Sequence, residues 1–229
     1  MLIDFTLVLL IPAIILSLYA QAKVHTTFNK YLRVQSSSGV NGAVVAQRIL
    51  ERNGIHDVNI QMNKGRLSDH YDPRGKTVRL SPEVYSGTSL ASLGIAAHEV
   101  GHAIQHNHGY FPLELRSTFA PVAQIGSNLA FPLIFLGLLL GSQGAFLLQF
   151  GIYLFAAVVL FQIITLPVEL NASSRAVAQL QSNDFILPKE MKGVKKVLSA
   201  AALTYVAAVV AAVLNLLRLV LISRIFGDD

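Results

Sequence analysis

The sequence predicts a mainly α-helical, multi-pass membrane protein with four transmembrane helices and a small α+β region between the first two. Hydrophobic residues make up 53% of its 229 residues and charged residues only 14%, which is a membrane-protein composition. Apolar stretches of bilayer-spanning length alternate with two polar segments. The basic residues are concentrated in those two segments.

Four apolar stretches are long enough to cross a bilayer. Ala20-Gln21-Ala22 resembles a signal-peptide cleavage site, but no Lys or Arg precedes the first stretch, which favours an uncleaved anchor. No charged residue occurs between Ser117 and Val168, and Gly141–Gly144 divides that run into a helical hairpin. The expected division is transmembrane helices at 2–22, 118–140, 145–166 and 198–220, a polar region at 23–116 and a polar helical segment at 167–197.

The charge distribution predicts the orientation of these spans. Of the 18 Lys and Arg residues, all but Arg218 and Arg224 lie in the two polar segments. The positive-inside rule therefore places both segments in the cytoplasm. Arg48, Arg52 and the 189–196 lysine cluster are expected to be solvated or to contact anionic lipid of the bilayer. Nucleic-acid binding is not expected, because no aromatic platform is interleaved with the basic residues.

The first polar segment contains signals for two helices and two short strands. Gly42–Asn53 has an amphipathic pattern that ends at a glycine, which predicts a helix. Alternation over Val58–Met62 and Thr77–Ser81 predicts two strands of a small sheet. Apolar residues at helical spacing predict a second helix over Leu90–Ile104.

The second of these helices carries an H-E-x-x-H motif. His98 and His102 are four residues apart, so a helix places both imidazoles on one face, where they can hold one metal ion. Neutral imidazole suits Zn²⁺, and Glu99 is positioned to act as general base for a zinc-bound water. Because the chain has no cysteine, any zinc must be held by histidine and carboxylate.

A catalytic zinc site needs a third protein ligand, and the residues offer two candidates. His108 has the spacing of a longer histidine motif, but that motif needs a glycine where this chain has Gln105. The His106–Gly109 stretch also has the character of a helix end. Glu169 is the first charged residue after the long uncharged run, and small residues follow it one turn later. This pattern favours Glu169 and leaves His108 open.

Three stretches together resemble a known family. His98–Gln105, Ser68–Arg74 and Glu169–Ser173 are similar to the YugP-type bacterial membrane zinc metallopeptidases, which are similar in plan to the HtpX-like and CAAX-prenyl membrane proteases. The resemblance implies that Glu169 is the third ligand of one Zn²⁺ ion. It also implies a zincin-like catalytic region in the bacterial plasma (inner) membrane that hydrolyses peptide or membrane-protein substrates. The orientation predicted from the charges places this region at the cytoplasmic face.

The chain departs at Ser173 from the HtpX-like and CAAX-prenyl proteases, which have aspartate at that position. Asn171 or Ser173 is the expected substitute for orienting a ligand histidine through a hydrogen bond. His70, Tyr71 and Arg175 are candidates for stabilising the oxyanion of the reaction.

In zincin-like folds an upstream edge strand binds substrate, and the strand preceding the metal helix here is Thr77–Ser81. An ordinary turn is the other interpretation of the Asp69–Arg74 stretch, and a salt bridge is the simpler role for Arg175.

Two other functions fit the same residues. An intramembrane-cleaving metalloprotease would need the motif helix inside the bilayer, yet Leu90–Ile104 is short and flanked by polar sequence. A non-catalytic scaffold or chaperone partner with a structural metal has no use for Glu99. The residues therefore favour a membrane-bound zinc endopeptidase.

Overall fold

The computed structural model describes residues 5–227, which are mainly helical. A 3-10 helix at Phe5–Leu10 leads into the first α-helix. The remaining elements, in chain order, are α1 (Ile11–Leu32), α2 (Gly42–Arg52), β1 (Asn59–Met62), β2 (His70–Asp72), β3 (Thr77–Leu80), α3 (Pro82–Tyr85), α4 (Leu90–Asn107), α5 (Phe111–Leu139), α6 (Ala145–Ser182) and α7 (Pro188–Gly227).

Four helical stretches of the described chain are long and apolar enough to cross a membrane, as the composition predicts. They are Thr6–Leu32, Phe111–Leu139, Gly141–Ser182 and Pro188–Arg224. The polar helices α2, α3 and α4 and the sheet lie in the chain between the first two of these stretches. This arrangement confirms a mainly helical protein with four candidate spans and a small mixed α+β region.

The chain divides into two compact units. The first contains the described residues up to Ala20, Glu114–Pro167, and those from Thr204 onward. Its α5 and α6 pack closely: a Cβ at Gly137 would lie 2.5 Å from the backbone nitrogen of Leu148. Small residues allow such close helix approach where the surroundings are apolar. The expected break between the two helices is a 3-10 turn at Gly141–Gly144.

The second unit, Gln21–Leu113 with Val168–Leu203, holds the polar elements around one core. The buried side chains come from α2, the sheet, α4, α6 and α7, and they include Ile49, Leu80, Leu93, Ile104 and Leu180. Asn41 caps α2 by accepting a hydrogen bond from the backbone N–H of Val44. The apolar spacing that predicts α2 and α4 therefore corresponds to the faces that this core buries.

The three strands form a mixed sheet in the order β1-β3-β2. β3 pairs in parallel with β1 and antiparallel with β2, so both of its edges are occupied. The expectation that Thr77–Ser81 is the substrate-binding edge strand is therefore wrong. The edge next to α4 is β2, a three-residue strand at a place where the sequence predicts a turn. The turn itself follows it, where Asp72 accepts hydrogen bonds from the backbone N–H groups of Arg74 and Gly75.

Two helix boundaries decide where the candidate ligands lie. α4 ends at Asn107, with His108 as its C-cap and Gly109 at φ +59°, which confirms the predicted helix end. α6 runs unbroken from Ala145 to Ser182 and contains Pro167. Glu169 therefore lies inside a long helix and does not open a new one. A proline removes one helical hydrogen bond, and the rest of α6 continues past it.

Candidate metal centre

Helix α4 positions the three residues of the H-E-x-x-H motif. Its N-terminus is capped by Ser89, whose hydroxyl accepts a hydrogen bond from the backbone N–H of Ser92. The helical spacing places the His98 and His102 rings edge to face, with centroids 4.9 Å apart. Glu99 and His102 are each 8% exposed. The motif is therefore held on a rigid helix and largely shielded from water.

A close contact between two helices brings Glu169 to this face of α4. A Cβ added at Gly101 would lie 2.6 Å from the carbonyl oxygen of Ala172 on α6. Only glycine at this position lets α6 approach so near, and the carboxylate of Glu169 lies one turn before Ala172. Small residues on both helices, Gly101 on α4 and Ala172 on α6, therefore form this close contact.

The side chains of His98, His102 and Glu169 converge. Each offers one ligand atom, and these atoms lie within 4.8 Å of one another. The Nε2 atoms of His98 and His102 lie 3.4 Å and 3.5 Å from the same oxygen, Oε2 of Glu169. Ligand atoms about 2.0–2.1 Å from a tetrahedral zinc ion lie about 3.4 Å from one another. The cluster fits one such ion with these three residues as ligands.

The other ring nitrogen of His98 contacts Ser173. The Ser173 hydroxyl lies 3.1 Å from Nδ1 of His98, at hydrogen-bonding distance. This contact leaves Nε2 of His98 directed at Glu169. Ser173, one of the two residues expected to orient a ligand histidine, therefore contacts His98.

A longer network holds His102, and its direction follows from Arg175. An arginine side chain can only donate hydrogen bonds, so its contact of 2.8 Å requires Asn171 to present its carbonyl oxygen Oδ1. That oxygen accepts a second hydrogen bond from Nε2 of Gln105 at 2.9 Å. Gln105 also donates to the carbonyl of Val168. Both hydrogens of the Gln105 amide are thereby used.

The remaining group of Gln105 faces His102. Its Oε1 lies 3.0 Å from Nδ1 of His102, and an amide oxygen only accepts, so Nδ1 carries the proton. The lone pair of His102 is then on Nε2, which faces Glu169. The network from Arg175 through Asn171 and Gln105 therefore selects the tautomer that can bind a metal ion.

Gln105 is the contributor that sequence reasoning missed. The sequence gives Gln105 no role in orienting a ligand, yet it is fully buried and its amide oxygen lies at hydrogen-bonding distance from the His102 ring. One sequence feature could have indicated this role: Gln105 follows His102 by three residues, which makes the two side chains neighbours on a helix. Arg175 contacts Asn171 and lies over the ring of Tyr110, so the salt bridge considered for it is replaced by these contacts.

Replacing Gln105 with alanine is expected to weaken zinc binding by about 10- to 100-fold, the usual cost of removing a group that orients a ligand histidine. The variant leaves His102 without its acceptor and Asn171 without one donor. Competition with a zinc-binding dye measures the dissociation constant. The matched control is Gln47→Ala, on the exposed face of α2, which should bind zinc as the unaltered protein does. Equal affinity for the Gln105 and Gln47 variants would contradict the assigned network.

The carboxyl group of Glu99 has an unusual environment. Burial raises the pKa of Glu99 to about 7, while the charge of His98 and a hydrogen bond from the backbone N–H of Tyr71 act in the opposite direction. A carboxyl group with a pKa near neutrality is suited to accept and return a proton at that pH. Because Tyr71 lies in β2, this hydrogen bond links the edge strand of the sheet to Glu99 of the motif.

The other sequence candidates lie around this centre in different ways. The Tyr71 hydroxyl is 2.8 Å from Nδ1 of His106, and burial raises the pKa of Tyr71 to about 12. Tyr71 is therefore protonated at neutral pH and able to donate. His70 is exposed and contacts the carbonyl of Ser68 and Arg79 rather than the clustered side chains. His108 is the exposed cap of α4 and is not a member of the cluster found among the described residues.

Comparison with known proteins agrees with this geometry. A family model described as "Putative neutral zinc metallopeptidase" matches residues 6–224. The chain belongs to this family. One relative is the "Putative membrane protease YugP" of Bacillus subtilis (strain 168), which is 52% identical over 215 residues, covering 93% of this chain and 94% of the relative. No solved structure matches the chain significantly. The resemblance inferred from three short stretches is confirmed over nearly the whole length.

Substituting Gly101 with alanine is expected to lower the free energy of unfolding by about 1–3 kcal/mol and to weaken zinc binding. The new methyl group would meet the backbone of Ala172, which cannot rotate away, so α4 and α6 must separate. Gly94→Ala on the same helix is the control, because its Cβ would meet only a side-chain methyl of Val194 at 3.2 Å. Thermal unfolding and zinc content measure both effects, and equal behaviour of the two variants would contradict the close approach.

Proposed function

We propose that the protein is a membrane-bound zinc endopeptidase in which His98, His102 and Glu169 bind the metal ion. The observation that carries this proposal is the convergence of both Nε2 atoms on one oxygen of Glu169, while each Nδ1 is held by another side chain. Two imidazoles and one carboxylate are the donor set of many catalytic zinc sites. Membership of the metallopeptidase family supports the same choice.

The residues around the metal centre then have distinct roles. Zn²⁺ at this site would supply Lewis acidity to the attacking water and to the peptide carbonyl. The carboxylate of Glu99 takes a proton from the water that attacks the peptide bond and later delivers a proton to the leaving amine. The partly exposed His98 marks the side on which water and substrate reach the cluster, since Glu169 is only 2% exposed.

The small α+β region supports a zincin-like description of the catalytic part. It combines the motif helix with a sheet whose edge strand β2 contacts that helix. An extended peptide can pair with a strand edge through backbone hydrogen bonds, and we assign this role to β2, the edge beside the motif helix, in place of Thr77–Ser81. Oxyanion stabilisation by Tyr71 stays a prediction, because its hydroxyl contacts His106, whereas Arg175 acts by orienting Asn171.

The active site is proposed to face the cytoplasm of a bacterial plasma membrane. The cytoplasmic side is supported by the charge distribution, because sixteen of the 18 basic residues occur in the polar segments. The bacterial membrane is supported by the relative from Bacillus subtilis, which is named as a membrane protease. Substrates are then peptides or membrane-protein segments that reach the cytoplasmic face. A cysteine at exposed position Lys64 should react with a membrane-impermeant thiol reagent only in inside-out vesicles.

Peptide hydrolysis by the purified protein tests the proposal. The detergent-solubilised protein is incubated with a proteome-derived peptide mixture, and new amino termini are identified by mass spectrometry. Cleavage should be lost with 1,10-phenanthroline and restored by added Zn²⁺. Cleavage that persists without metal, or a metal-loaded protein that generates no new termini in peptides or in membrane-protein extracts, would contradict the function.

A further inference from the structure

A second site of the molecule lies away from the metal centre. A cavity of about 1010 Å³ lies between α1 and α7 within the second unit, and we call it the lysine cavity. Its positive charges come from both helices and are Lys23, Lys30, Lys192, Lys195 and Lys196. None of the residues of the zinc cluster or its supporting network lines it. The peptidase mechanism leaves this cavity without a role.

Contacts between α1 and α7 show which part of each helix lines the cavity. A Cβ at Gly193 would lie 2.8 Å from the ring of Tyr31, and Phe28 packs with Val197, so the two helices run antiparallel. The lysines occupy the polar end of each helix, and each helix continues from there into an apolar run of a candidate span. Such helix ends lie at the level of lipid headgroups when the apolar run crosses a bilayer.

The lining has the chemistry of an amphiphilic anion site. It contains five lysines and no carboxylate. In the part of the chain whose side chains are described, these lysines form no ion pair with Asp or Glu. Hydroxyl groups of Thr27, Tyr31 and Ser199 also line the cavity. Apolar side chains complete it, including Met191, Ala200 and Leu203.

We propose that the lysine cavity binds an anionic phospholipid, with the phosphate among the lysines and the start of an acyl chain against the apolar lining. Charge complementarity selects a headgroup with net negative charge over a zwitterionic one, because no carboxylate is available to pair with a choline or ethanolamine group. The apolar lining gives no contribution to a free phosphate ion. This site is independent of the zinc centre and of the proposed peptidase activity.

Native mass spectrometry of the full chain in detergent tests the site. Phosphatidylglycerol and phosphatidylcholine with the same acyl chains are titrated separately, and inorganic phosphate is added as a competitor. One molecule of phosphatidylglycerol should bind at concentrations where phosphatidylcholine does not. The combined variant Lys192→Gln, Lys195→Gln and Lys196→Gln should bind it about 100-fold more weakly, as expected for three lysines at an anionic headgroup.

A matched variant removes three positive charges from exposed positions outside the cavity: Lys64→Gln, Arg74→Gln and Lys76→Gln. It should bind phosphatidylglycerol as the unaltered protein does. Ser199→Trp places a bulky ring in the cavity without changing its charge and should also weaken binding of phosphatidylglycerol. The proposal is overturned by equal losses in the two triple variants, by equal binding of the two lipids, or by competition from inorganic phosphate at the lipid's own concentration.

Discussion

Replacing Glu169 with alanine is expected to remove zinc from the protein, whereas replacing His108 with alanine is expected to leave the zinc content unchanged. Glu169 is the side chain on which both histidine Nε2 atoms converge, and it lies on a different helix from them. Two imidazoles from a single helix would then have to hold the ion alone. The loss of affinity should exceed the roughly 10- to 100-fold cost of removing a supporting hydrogen bond.

Zinc per chain is measured by inductively coupled plasma mass spectrometry after purification, with thermal unfolding as the test of folding. Glu169→Gln is the informative second variant, since it keeps the size of the buried side chain and removes its charge. His108→Ala is the matched control, because His108 is the other third-ligand candidate and is exposed at the end of α4. Zinc retained by both Glu169 variants, or lost in His108→Ala, would reverse the ligand assignment.

Replacing Glu99 with glutamine is expected to reduce peptide hydrolysis by about 10²- to 10⁴-fold, with zinc content unchanged. An amide has the shape of the carboxyl group but cannot take a proton from water at neutral pH. Glu99 is not a member of the three-residue cluster, so the metal ion should keep all three protein ligands. This separation of activity from metal binding distinguishes a general base from a ligand.

The rate of cleavage and the zinc content of Glu99→Gln are compared with those of Glu51→Gln, an exposed carboxylate on α2. The control should cleave at the rate of the unaltered protein. If the Glu99 variant cleaves as fast as the control, a reaction without this general base would be required. If it loses zinc while remaining folded, Glu99 belongs among the ligands.

The parts of the fold that follow from local pattern could be predicted from the sequence. The four apolar helices follow from hydrophobic runs, and α4 with His98 and His102 follows from helical spacing. Glu169 could also be predicted as a ligand, because it is the first charged residue after the uncharged run and matches a family motif. These features depend on residues near one another in the chain or on a recognisable motif.

The features that were missed depend on contacts between distant residues. β2 has three polar or aromatic residues and exists because β3 pairs with it, so its own sequence carries little strand signal. Gln105 gains its role from Asn171, which lies on a different helix. The helix through Pro167 is continuous because packing of α6 outweighs the loss of one hydrogen bond. Local sequence patterns do not predict these features, because the energies that decide them come from tertiary contacts.

The coordination of zinc in the purified protein tests the central claim most directly. Zinc K-edge X-ray absorption distinguishes imidazole from carboxylate ligands and counts the imidazoles. The account predicts one zinc ion per chain, with two histidine nitrogens at about 2.0–2.1 Å and the remaining positions filled by oxygen. Three imidazoles in the coordination shell, or a folded protein that binds no zinc, would contradict a centre built from His98, His102 and Glu169.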